Sequence, residues 1–271
     1  MIFQSFNQRD TKMKTKLIII LLLLSIALKA QEADSAAIAK YFNNHTGAIV
    51  VLNNSTGKYF RYNEQRCAER FLPASTFKIT NSLIGLETGV ISDENFVIKW
   101  DGIERSKEWD RDHTLATALK YSVVPYYQEL ARREGKEKYM ELLPKIDYGN
   151  NTVGEVVDRF WLDNSLKISA DEQIEFLKRF YDYKLPFSKR SVDIVKKIMS
   201  EEKYPNSVMK FKTGTGNKED KNWIGWLVGY VEKQSDVYFF AFNVEGKEFA
   251  DVSKLRNEAT RGILKLLKVI E

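Results

Sequence analysis

Ser75-Thr76-Phe77-Lys78 places a hydroxyl and an amine three residues apart. On a helix, positions i and i+3 share one face, so the Lys78 nitrogen can lie beside the Ser75 oxygen. A serine hydroxyl is a poor nucleophile until a neighbouring base takes its proton, and an adjacent lysine can serve as that base. The chemistry on offer is acyl transfer through a serine ester. Spacing alone is weak: average composition yields about one chance S-x-x-K in a chain this long. Ser55-Thr56-Gly57-Lys58 is another copy. Ser55 sits in the turn cluster Asn53-Asn54-Ser55-Thr56-Gly57. Ser75 follows Pro73-Ala74 and leads into a run where Ile79, Leu83 and Leu86 keep helical spacing. Ser75 is the candidate and Ser55 the decoy.

Composition narrows the field around that pair. Cys67 is the single cysteine, which excludes an internal disulfide and reads as a buried or half-buried small hydrophobe. His45 and His113 are the two histidines, too few to build an ordinary zinc site. His113, set among Asp110, Arg111 and Asp112, reads as a structural hydrogen-bonding group. The expected catalysis is metal-free and histidine-free, so a serine needs another base.

The elements that must hold the pair begin after a leader. Arg9, Lys12, Lys14 and Lys16 precede an apolar run from Leu17 to Leu28 broken only by Ser25, with small residues near Ala30-Gln31. That is a signal peptide over residues 1–30, too short to span a bilayer, with Met13 as an alternative start. A core or surface helix is disfavoured because the run has no polar face. No cysteine follows for a lipid anchor, so an exported protein without a stable membrane anchor is expected, periplasmic in a Gram-negative bacterium. Residues 1–30 hold five basic groups and one acidic group, leaving 37 basic against 36 acidic and a net charge of +1 instead of +5. The basic pI therefore gives no argument for nucleic acid.

Residues 31–271 read as α, β, α, β, α in one domain. Ala33 to Phe42 predicts a short helix, and Thr46 to Leu52 with Lys58 to Tyr62 a hairpin. A helical lobe is expected over about 73–200, inserted between sheet segments at about 31–65 and 208–271. It includes helices from Thr114 to Tyr121 and Val124 to Glu134, and one opened by the capping box Ser169-Ala170-Asp171-Glu172. The runs Trp223 to Val231 and Val237 to Val244 read as strands covered on both faces, and Val252 to Val269 as an amphipathic helix. A cleft is expected where sheet and helices meet.

Three further segments follow Ser75: Tyr121-Ser122-Val123-Val124 between two helices, Tyr148-Gly149-Asn150 in a turn, and Lys212-Thr213-Gly214-Thr215 at the end of the Val208 strand. S-x-x-K with K-T-G marks penicillin-recognising serine enzymes. With S-x-V in the middle and Y-G-N, the set resembles the class D serine β-lactamases, the oxacillinases. The likeness covers most of residues 36–265, including Trp109 to His113, Tyr121 to Arg132, and Phe160-Trp161-Leu162.

That resemblance implies an α+β, β-lactamase/transpeptidase-like fold: a mainly antiparallel sheet flanked by terminal helices, with an inserted all-helical domain. It implies small-molecule β-lactam substrates, with Ser75 as nucleophile. Lys78 would be N6-carboxylated by CO2 or bicarbonate and act as general base, with no other cofactor and no metal. Ser122 would relay a proton and Trp161 would donate to the carbamate. Val124 and Leu162 would wall the base from water. Lys212, Thr213, Gly214, Thr215 and Arg256 would bind substrate, with the backbone N–H groups of Ser75 and Thr215 as oxyanion hole. Blander readings stay open: Trp161 as core, Arg256 as a solvated helix charge, and Tyr148 and Asn150 as structural walls. A β-lactam-sensing receptor that stays acylated is the rival function. A cell-wall transpeptidase would favour a polar residue at Val124, and a pure binding module would not need Ser75 with Lys78. The sequence assigns no oligomeric state.

Overall fold

The computed structural model describes residues 35–271; the expected signal peptide and its cut near Ala30-Gln31 lie outside the described residues. Residues 35–39 are helical (α1) and run into a 3-10 turn, Lys40–Phe42, ended by left-handed Asn43 and Asn44.

From His45 onward the chain builds on a six-stranded antiparallel sheet. Its strands are β1 (Gly47–Asn53), β2 (Tyr59–Tyr62), β5 (Ser200–Tyr204), β6 (Ser207–Asn217), β7 (Trp223–Lys233) and β8 (Asp236–Gly246), in the order β2-β1-β8-β7-β6-β5. Two residues, His113–Thr114 (β4), pair separately with Val97–Ile98 (β3). Ile224 to Val231 are all buried, so both faces of β7 are covered. Helix α9 (Phe249–Leu266) lies on the face carrying Gly225, where a methyl would stand 2.5 Å from Val252 Cγ1. Helix α7 (Ala170–Tyr181) lies on the other, its Tyr181 ring 5.0 Å from that of Tyr230.

The helical part comprises α3 (Lys78–Thr88), α4 (Leu115–Lys120), α5 (Val124–Glu134), α6 (Lys136–Ile146) and α8 (Lys189–Ile198), while short α2 (Glu64–Ala68) follows β2. Capping is legible in the chain: Thr114 and Ser169 both form reciprocal capping boxes. Pro125 stands in the first turn of α5.

The fold is the expected α+β arrangement, with three local differences. The capping box does start α7, but this helix packs on the sheet and not among the lobe helices. Lys212-Thr213-Gly214-Thr215 lies inside β6, which continues to Asn217. And β5 is a strand that its composition hides. Ser200-Glu201-Glu202-Lys203-Tyr204 lacks an apolar alternation because it is a charged edge strand, joined to β6 by the two-residue turn Pro205-Asn206.

Candidate active site

Ser75 sits in a 3-10 turn, Ala74–Phe77, that runs directly into α3. Ala74 takes a left-handed φ of 48°, and its N–H donates to Trp161 O at 3.1 Å. Phe77, fully buried between the two reactive residues, anchors the turn. Its ring lies 5.7 Å from that of Trp161, 5.2 Å from Phe160 and 5.4 Å from Tyr148. The turn therefore has a fixed pose, and Lys78 Nζ lies 2.6 Å from Ser75 Oγ. Ser75 is 9% exposed and Lys78 not at all. Burial pushes the Lys78 amine down to about 7, so a substantial share of it is neutral near that pH. One wall of its pocket is Tyr127 of α5, whose ring centroid is 5.4 Å from Nζ and whose hydroxyl bonds Ser82 Oγ at 2.8 Å.

Strand β6 presses against that turn through two glycines. A methyl on Gly214 would stand 2.9 Å from Pro73 O and 3.1 Å from Thr76 N; one on Gly216 would stand 2.6 Å from Leu72 Cδ1. Thr215, between them, is thus held at the Ser75 turn. Because Pro73 O and Thr76 N are backbone atoms, they cannot swing aside. Gly214→Val is expected to lower kcat/KM about 10²-fold, since displacing catalytic groups by about an ångström costs that much. Steady-state kinetics on a folded variant checks it; unchanged kinetics would mean the turn and strand can separate freely.

Ser122 occupies the α4–α5 turn with φ 56°, held by Val123 N–H donating to Ala118 O at 2.9 Å and by the Trp109 indole donating to Tyr121 O at 3.1 Å. Lys212 Nζ donates to Ser122 Oγ at 3.0 Å and to Thr213 O at 2.8 Å. Burial, then the positive charges of Lys78 and Arg256, hold Lys212 well below its ordinary range. Arg256 reaches from α9 past Gly225, where a methyl would come 3.4 Å from its Cδ. Its Nη1 donates to Gly214 O at 2.5 Å and to Thr215 Oγ1. Burial lowers its guanidinium to about 10. It is therefore a site-facing cation, not a solvated helix charge.

Trp161 is fully buried, and its Nε1 finds no acceptor among the described residues. An indole N–H left so is costly unless something accepts from it. Val124 opens α5 half-buried, and Leu162 is half-buried against the core. Thr213 lies half-buried on β6. Tyr148 is buried, its hydroxyl accepting from Gln173 Nε2 at 3.3 Å, and the same amide donates to Thr76 Oγ1 at 3.0 Å. Sequence reasoning singled out neither Gln173 nor Tyr127. Tyr127 lay within the motif run Tyr121 to Arg132, while Gln173 carried no signal. Ser55 is exposed in the β1–β2 turn, as expected of a decoy. Among the described residues no cluster of three or more His, Cys, Asp or Glu could hold a metal ion.

Two lysines, two serines and an arginine thus converge from α3, the α4–α5 turn, β6 and α9, the constellation of an active-serine acyl-transfer enzyme. Residues 38–265 match the penicillin binding protein transpeptidase domain. The chain is 45% identical to "Beta-lactamase OXA-48" of Klebsiella pneumoniae over 233 residues, 85% of this chain and 87% of that one. It superposes on the class D β-lactamase FUS-1 (OXA-85) of Fusobacterium nucleatum with a TM-score of 0.83 and 37% identity, covering 87% of this chain and 99% of that one. "Regulatory protein BlaR1" of Bacillus licheniformis is 36% identical over 76% of this chain, but the match spans 34% of that regulator. The chain belongs to the class D β-lactamases.

Proposed function

We propose that this protein hydrolyses β-lactam antibiotics through an acyl ester on Ser75 and so confers resistance to them. The observation that carries the reading is Ser75 Oγ held 2.6 Å from a buried lysine whose amine burial brings to about 7. Ser75 passes its proton to the Lys78 side chain as its oxygen bonds the lactam carbonyl carbon. The C–N bond then breaks, and Ser122, bridged to Lys212, passes a proton to the leaving nitrogen. The backbone N–H groups of Ser75 and Thr215 face the developing oxyanion. Arg256, which bonds Thr215 Oγ1, takes the substrate carboxylate together with the Thr213 hydroxyl.

The residues around Lys78 fit a carboxylated amine: burial keeps the nitrogen nucleophilic toward CO2, and the unpartnered Trp161 indole is a ready donor. When present, that group supplies a general base for both acylation and deacylation. Val124 and Leu162 limit water around Lys78. Activity is accordingly expected to fall as pH drops through about 7, where the amine becomes an ammonium, and to recover when bicarbonate is added. A pH–rate profile with and without bicarbonate checks this, and indifference to bicarbonate after acid treatment would count against carboxylation.

Burying Lys78 also has a stability cost. Its folded value lies below its unfolded one, so the unfolded chain binds the extra proton between about 7 and 10.5, and stability rises with pH across that window. Lys78→Met, close in shape and uncharged, is expected to stabilise the fold by about 4 kcal/mol at pH 7 in bicarbonate-free buffer. Denaturant unfolding measures it; no gain would mean the amine is solvated.

Residues 1–30 are proposed to direct export to the periplasm and to be removed there, which the mass of the protein recovered from that compartment tests. The functional test is the number of equivalents of benzylpenicillin consumed per mole of protein in bicarbonate buffer. Many equivalents support hydrolysis. One equivalent, trapped on Ser75, would favour the receptor-type reading that the likeness to the regulator raises.

A further inference from the structure

Beside the Ser122 turn lies a cavity of about 390 Å³, a volume within the range of small-molecule sites. It is framed by β3, β4 and the outer face of α5. None of Ser75, Lys78, Ser122 or Lys212 lines it. Its walls are aromatic, from Trp100, Trp109 and Tyr126, and its rim is basic. Arg132 and Arg133 are both engaged by Glu129. Asp101, the other acid on the lining, is engaged by Arg105. Lys99 and Arg111 have no ion-pair partner among the described residues, and the Arg111 guanidinium is parked 5.2 Å above the Tyr121 ring. His113, which lines the floor, is held below its ordinary value by burial and by Arg111, so it stays uncharged near neutral pH. Aromatic walls under two uncommitted cations complement a flat apolar group that ends in a carboxylate.

The cavity also touches both flanks of Ser122. Trp109 holds the Tyr121 carbonyl, one residue before it, and Val123, one residue after it, is part of the lining. We propose that this cavity is an effector site for aromatic carboxylates, and that its occupation lowers turnover by shifting the Ser122 turn rather than by competing with substrate.

The test is a calorimetric titration of the mature protein with 4-phenylbutyrate, paired with steady-state hydrolysis of benzylpenicillin. Calorimetry is independent of catalysis, so the site can be judged even if the β-lactamase reading fails. Saturable binding is expected, weakened about fivefold or more by Arg111→Ala and by Trp100→Ala, both at exposed positions. In kinetics the probe is expected to lower kcat with KM unchanged, and the two variants to lose that response while turning over substrate normally. Absence of saturation at about 10 mM, near −2.7 kcal/mol, would overturn the proposal. So would binding that survives both substitutions, a probe that raises KM alone, or saturation with kcat unaltered.

Discussion

Lys78→Ala is expected to open a single β-lactam ring and keep it. The amine lies 2.6 Å from Ser75 Oγ and has no nearby substitute, because the histidines, His45 and His113, lie outside the site and Lys212 is committed to Ser122. Both half-reactions need a proton taken: from Ser75 in acylation, and from water in deacylation. Removing a positioned base costs about 10² to 10⁴ in each. The strained lactam drives the first step forward even when slowed, whereas the serine ester left behind has no comparable strain. The variant should therefore consume one equivalent of benzylpenicillin and gain the mass of one molecule on the intact protein, stable for hours. Continued turnover in this variant would falsify the single-base mechanism.

Ser75→Ala should be the more complete loss, with kcat reduced by about 10⁵-fold or more, as when other active-serine enzymes lose their nucleophile. The substitution deletes one oxygen in a turn held by Phe77 and by Ala74 N–H on Trp161 O, so the fold is expected to survive. The Arg256 cation and the Lys212–Ser122 hydrogen bond remain in place, so substrate still binds. No acyl adduct should appear by mass spectrometry, which distinguishes this variant from Lys78→Ala. A Ser75→Ala protein that still hydrolysed substrate would move the nucleophile elsewhere, and one that retained its biological effect without hydrolysis would reveal a binding module.

How much of this was legible beforehand follows from distance along the chain. Ser75 and Lys78 are local, so i, i+3 spacing was enough to pair them. Lys212 and Ser122 are ninety residues apart, and no spacing rule joins them; only resemblance placed both in one site. Gly214 reads as a strand end because glycine disfavours strands, yet here it and Gly216 leave room for the Ser75 turn, a reason invisible without the third dimension. The Ser169 capping box located the start of α7 because a cap is local, but it carries no information on which surface receives the apolar face. Trp161 was legible as a buried tryptophan; that its N–H finds no acceptor among the described residues was not.

The strand order has a consequence for how the molecule comes into being. β1 pairs along one edge with β2, its immediate neighbour, and along the other with β8, Gly47 facing Val244. An emerging chain must therefore carry the apolar edge Ala48 to Leu52 unsatisfied until the last strand is made. Topologies so rich in distant pairings fold slowly, in milliseconds to seconds, and are prone to stray edge pairing while they wait. Catalytic competence arrives in the same late event, since β6, which braces the Ser75 turn and supplies Lys212, joins the sheet through β7 and β8. A nascent chain with both Ser75 and Lys78 already synthesised has no acylating site at all.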